Sequence, residues 1–256
     1  MTAADLLRAD ISDGALARFA IVTLVASISR GFAGFGAALI YMPLATTIVA
    51  PRTAAAVLVI VDFILAAPLI PNAWRLGKRR PVGVMALGAL IGVPVGTFAL
   101  TRLDPIVTRW IISGLVFSLL VLLISGWRYR GSTHPAVAAC VGCVSGLFNG
   151  LAQTGGPPVV AYWLGQHLTG AIARANIVLF FAISGVFSVI SYLLGGLFTP
   201  DVLKLSAIAG PVYGLGLFVG ARMFALASET MFRRVCYLLI ATAATIGLPL
   251  LDRFTH

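Results

Sequence analysis

The chain has 256 residues, of which 60% are hydrophobic and only 10% charged. A soluble domain is typically about 25% charged, so the composition excludes one and calls for an integral membrane protein. The formal net charge of +10 does not point to nucleic acid, because the positive residues sit in short loops between apolar runs, the usual topology signal of a membrane chain.

Several apolar runs reach the roughly 20 residues that cross a bilayer. They are continuous and lack the period-two alternation of an outer-membrane barrel. The predicted fold class is therefore an all-α integral membrane protein. The start of the chain is mixed in charge, with no basic opening or small-residue cleavage site, and reads as no signal peptide.

In chain order, residues 16–29 are apolar and helical by length, residues 30–36 interrupt them, and residues 37–50 form a second short piece. Each piece has about 14 residues, or roughly 21 Å of helix. That is short for a span and long for a loop, and the pair is predicted as a broken or re-entrant hairpin over 15–50. Spans follow at 54–71, 82–101 and 105–127. The first carries Asp62 near its middle. The second carries Gly88, Gly92 and Gly96 at four-residue spacing, a smooth face for close helix contact within one protomer or between two copies in a homodimer. The third opens with Asp104-Pro105, a cap followed by a first-turn proline.

The pattern then restarts. A second hairpin is predicted over 134–168, broken at Asn149-Gly-Leu-Ala-Gln-Thr-Gly-Gly-Pro-Pro158. Proline lacks a backbone donor and clashes with the preceding turn, so no uninterrupted helix runs through Gly155 to Pro158. Spans at 174–195, 202–224 and 229–251 complete this half. Cys140 and Cys143 have C-x-x-C spacing but lie in an apolar helix without acidic or histidine neighbours, and read as packing residues with no metal.

Residues 1–131 and 132–256 can be overlaid as two repeats. Arg30-Gly31 falls on Asn149-Gly150, Gly36 on Gly155, and Arg52 on Arg174 after a small insertion. Residues 75–80 include Arg75, Lys78, Arg79 and Arg80, whereas the matching 195–201 has no Arg or Lys. The loop with Arg102 and Asp104 matches one with Arg222, Arg233 and Arg234. The charge bias is reversed between matched loops, so the repeats are predicted to have inverted topology, with both termini periplasmic. Three spans plus a re-entrant hairpin per repeat satisfy this; so do five spans per repeat. Broken apolar segments at matched places in two halves mark the binding site of a transporter. Half-helix starts carry partial positive charge and bind anions.

At these residues the chain resembles the sulfite exporter TauE/SafE family, whose halves each open with a pattern close to G-x-x-G-x-G-G-G-x-x-x-x-P. Gly31, Gly34, Gly36 and Pro43 match the first copy, with Ala37 and Ala38 in place of two glycines. Gly150, Gly155 and Gly156 match the second, with Gln153 in place of a glycine and Pro157-Pro158 as a variant ending. The likeness covers nearly the whole chain. It implies a secondary transporter of small anions, notably sulfite and organosulfonates.

The candidate substrate-binding residues are Arg30, Gly34, Gly36, Tyr41, Asn149, Gln153, Thr154, Gly155 and Gly156. An arginine at membrane depth is costly, and its paired donors suit an oxyanion; the alternative is an interfacial arginine on a full-length first span. Asn149, Gln153 and Thr154 offer neutral hydrogen bonds, either to cargo or to backbone groups freed by the break. Tyr41, Tyr162 and Trp163 can wall a pocket or simply pack. The coupling or gating candidates are Asp62, Arg52, Arg174 and Asn176. Asp62 can pair with Arg30, carry a coupled proton or cap a helix. Arg52 and Arg174 can anchor topology, and Asn176 can bond the adjacent hairpin.

The expectation is a multi-pass inner-membrane transporter working by alternating access. Its partners are a small anionic substrate, the lipid bilayer and a proton as candidate coupling ion, with no nucleic acid and no cofactor. The alternatives are a transporter or channel for another small solute or cation. An intramembrane enzyme is disfavoured: there is no H-E-x-x-H, no G-x-S-x-G elbow with partners, and no second intramembrane acid beside Asp62.

Overall fold

The structure, a computed structural model, describes residues 13–33, 36–131, 134–224 and 229–250. All regular structure among them is helical. In the first half, α1 (Asp13–Ala33) and α2 (Ala37–Ala45) form a hairpin. Helix α3 (Pro51–Ala66) runs through a 3-10 turn (Ala67–Leu69) into α4 (Ile70–Leu76), and α5 (Arg79–Arg102) and α6 (Pro105–Ser125) follow. In the second half, α7 (Pro135–Ala152) and α8 (Gly156–Gly165) form the hairpin, followed by α9 (Gly170–Leu194), α10 (Pro200–Phe224) and α11 (Glu229–Ile246).

Among the described residues, seven helical stretches are long and apolar enough to cross a membrane, and the first arm of each hairpin is among them: Asp13–Gly31 and Pro135–Ala152. The expected arms are 16–29 and 37–50 in the first hairpin and 135–148 and 159–168 in the second, so in both hairpins the first arm is longer than expected. The first arms have 21 and 18 residues and the second arms 9 and 10. The reason is energetic. A single glycine inside a helix costs only about 1 kcal/mol against alanine, so Arg30-Gly31 and Asn149-Gly150 are carried along. The predicted break at 149–158 shrinks to residues 153–155, and Pro157-Pro158 fall in the first turn of α8, where no backbone N–H is required.

The same rule extends other spans. Pro68 and Pro71 each sit at the start of a new helical turn, so the span predicted over 54–71 runs from Pro51 to Leu76. The basic loop narrows to Gly77-Lys78, with Arg79 already in α5. At α6 the predicted cap is present: Asp104 Oδ1 accepts from the backbone N–H of Ile106 at 2.8 Å.

The described residues fall into two compact units, each drawing helices from both halves. Unit 1 comprises the described parts of 1–61, 104–120 and 196–256; unit 2 comprises 62–103 and 121–195. In unit 1, α10 packs along α1 and α11 packs on α2. In unit 2, α5 packs along α7, and α9 packs on α4, α5, α7 and α8.

The contact between α5 and α7 is made by two interlocking rows of small residues. A Cβ on Gly88, Gly92 or Gly96 would strike the carbonyl oxygen of Ala139, Cys143 or Leu147. Conversely, a Cβ on Gly142 or Gly150 would strike the carbonyl oxygen of Met85 or Val93, and one on Gly146 would lie 2.7 Å from Ala89 Cα. Close backbone approach of this kind is how membrane helices associate without a hydrophobic driving force. The predicted glycine face thus packs within the protomer. In unit 1 the matched helices meet the same way: a Cβ on Gly31 would strike the Leu217 carbonyl, and one on Gly216 the Ser27 hydroxyl.

Candidate functional site

The second break is built in unit 2. Helix α7 ends where Gln153 turns left-handed (φ 56, ψ 23), the one non-glycine residue with positive φ among those described. Its N–H reaches back to the Asn149 carbonyl at 3.0 Å, a left-handed helix cap usually made by glycine. Gly155 is then held from both sides by α7. Its N–H donates to Asn149 Oδ1 at 2.9 Å, and its carbonyl accepts from Ser145 Oγ at 2.7 Å.

Helix α9 fastens the other side. Asn149 Nδ2 donates to Ser184 Oγ at 3.1 Å, and the Tyr192 hydroxyl donates to the Gly150 carbonyl at 2.9 Å. Gln153 Nε2 donates to the Asn149 carbonyl at 2.7 Å and reaches Tyr192 Oη at 3.4 Å. Thr154 Oγ1 lies 3.5 Å from the Phe148 carbonyl. These bonds satisfy backbone groups freed by the break. Asn149, Thr154 and Gly155 are buried, while Gln153 and Gly156 are half-buried. Two of the first three residues of α8 are prolines, so its start offers fewer backbone donors than an ordinary half-helix.

The first break lies in unit 1. Gly36 (φ 92, ψ 3) precedes α2, in a conformation that strains any other residue. A Cβ there would find only Leu39 Cδ1, at 3.9 Å. Arg30 is half-buried in the last turn of α1, where the helix dipole favours a cation. Tyr41 is 1% exposed, its ring edge-on to Phe19 at 5.8 Å, and its hydroxyl has no hydrogen-bond partner. Gly34 lies outside the described residues.

Among the gating candidates, Asp62 is half-buried in α3, and Arg52 and Arg174 are exposed near the starts of α3 and α9. Asn176, expected to bond the hairpin beside it, instead accepts from the Lys78 N–H at 2.7 Å and so pins the turn between α4 and α5. Its position four residues from Phe180 on the packed face of α9 turns it toward that loop. Tyr162 is packed, stacked on Tyr129 at 5.5 Å and edge-on to Trp163 at 5.1 Å. No group of three metal-ligating side chains occurs among the described residues.

Sequence reasoning missed Ser145, Ser184 and Tyr192, which hold the second break. The spacing of Asn176, Ser184, Ser188 and Tyr192 at multiples of four along one buried face was the available signal. It also missed Arg109. That arginine is 9% exposed on α6, and its Nη2 reaches the Gly247 carbonyl just beyond α11 at 3.4 Å.

Span-length apolar helices, two of them followed by short helices with a left-handed residue between, define a multi-pass membrane protein. The chain belongs to the sulfite exporter TauE/SafE family, whose sequence pattern matches residues 19–246. That family is one of membrane transporters for sulfite and related anions. No curated protein and no solved structure matches the chain.

Proposed function

We propose that the chain carries a small oxyanion of the sulfite or organosulfonate class across the bacterial inner membrane by alternating access between inverted halves. The observation that carries this reading is the pair of broken hairpins, each built into a compact unit that joins the hairpin of one half to a glycine-bearing helix of the other. Helix breaks in a membrane chain are tolerated where they are buried in protein or line a cavity, and matched breaks mark the cargo site of a carrier. Each break is assigned as a cargo contact within its own unit, with Arg30 as the cationic contact at the first. Asp62, the acid within α3, is assigned to proton coupling. Both termini face the periplasm.

Thermal unfolding of the purified protein with sulfite, sulfoacetate, isethionate and matched carboxylates tests the reading. A ligand at 100 times its dissociation constant adds about 2.7 kcal/mol of stability. Stabilisation by a sulfur oxyanion, lost in Arg30→Ala, supports the site. Stabilisation by cations or neutral solutes alone overturns the anion assignment.

A further inference from the structure

The side chains first expected to hold cargo at the second break are occupied by the chain itself. Asn149 bridges Gly155 and Ser184, and Gln153 turns back on its own helix. Cargo binding at this break therefore calls for polar groups that the protein leaves unused.

Hydroxyls inside helices of this protein are ordinarily spent on the preceding turn. Thr23 donates to the Phe19 carbonyl, Ser118 to Gly114, Ser206 to Val202 and Thr245 to Ala241, each at 2.7–2.9 Å. Back-bonding of this kind is the default for a hydroxyl with no other acceptor. Ser113 in α6 of unit 1 departs from it, as do Thr97 in α5 and Ser188 in α9. Thr97 and Ser188 are 4% and 1% exposed, and neither hydroxyl has a hydrogen-bond partner. A buried hydroxyl without a partner is costly, which makes each such case one that requires an explanation.

Both belong to unit 2, and both adjoin the second break. Ser188 lies midway between Ser184 and Tyr192 on the face of α9 that grips α7, one turn from each. Those two neighbours bond Asn149 and the Gly150 carbonyl. Thr97 reaches the same place from α5: its backbone N would be 2.8 Å from a Cβ on Gly150, and its Cγ2 3.7 Å from a Cβ on Gly195, three residues beyond Tyr192.

We infer that Thr97 and Ser188 are cargo-contacting hydroxyls at the second break, donating to the oxygens of a bound oxyanion. The inference rests on the transport reading above and deepens it. A sulfite or sulfonate oxygen accepts from neutral hydroxyls without forming an ion pair, so the contact orients cargo and still lets it leave.

The test compares the parent with Thr97→Val, Ser188→Ala and, as control, Ser206→Ala. Dissociation constants for sulfite and sulfoacetate are read by thermal stabilisation, and uptake is measured in proteoliposomes. Each of the first two variants is expected to bind about tenfold more weakly or worse, the usual effect of losing a hydrogen bond to a charged group. Their melting temperatures without ligand should be unchanged or higher, because an unpaired polar atom has been removed. The control should bind like the parent. If Thr97→Val does not fold, Ser188→Ala decides the question alone. Binding unchanged in the variants of a parent that does bind overturns the inference and leaves the transport reading standing. A parent that binds no sulfur oxyanion overturns both.

Discussion

At Gly155 there is no room for a side chain. A Cβ would strike the Ser145 carbonyl and come within 2.6 Å of Ser145 Oγ and 2.7 Å of Asn149 Oδ1, the two atoms that hold the turn. Gly155→Ala must therefore push α8 off α7 or break those bonds, at a cost of about 1–3 kcal/mol as for other overpacked sites. Gly114, exposed on α6 with nothing within 4 Å of its would-be Cβ, should respond oppositely. Gly114→Ala should gain about 0.5–1 kcal/mol by restricting the unfolded chain. Thermal unfolding of both variants reads the two signs, and equal shifts would contradict this account of the break. The position of the break was legible from Gly155-Gly156-Pro157-Pro158. The role of Gln153 was not, because the identity of a glutamine carries no sign of a left-handed backbone. The family pattern does have a glycine there, and the turn explains why.

Among the elements, the join between α5 and α7 is the tightest contact described, and glycine at six positions makes it possible. Gly92→Val places branched carbons against the Cys143 carbonyl, a backbone atom that cannot turn aside. Separating the helices there is expected to cost about 3 kcal/mol, the upper range for overpacking. Ile91→Val, on the outer face of the same helix where residue 91 is 65% exposed, should change stability by less than about 0.5 kcal/mol. Loss of monodisperse protein on size exclusion after graded heating separates the two cases. Similar behaviour of both variants would mean that α5 is not held by its glycine face. The spacing of Gly88, Gly92 and Gly96 announced a close contact but not its partner. The complementary row, Gly142, Gly146 and Gly150, stood in the sequence at the same interval. It was overshadowed by Cys140 and Cys143 and by the break that follows.

For the whole molecule, the sequence divides at about residue 131, yet each compact unit takes helices from both sides of that point. Linear order predicts a duplication. It does not show which copy of a helix each hairpin packs against, because small-residue faces are interchangeable on paper. The orientation of the halves rests on charge, since four basic residues in 75–80 face none in 195–201. Short basic loops stay in the cytoplasm, so the turn between α4 and α5 and the turn between α9 and α10 should lie on opposite sides of the membrane. Lys78→Cys and Thr199→Cys, both at exposed positions, test this in a background where Cys140, Cys143 and Cys236 are alanine. In intact cells an impermeant maleimide should label residue 199 and not residue 78, and cell lysis should expose both. Labelling of both from outside, or of neither, would place the halves in parallel. Alternating access by exchange of inverted halves would then fail, even if the chain carries the anion that its family implies.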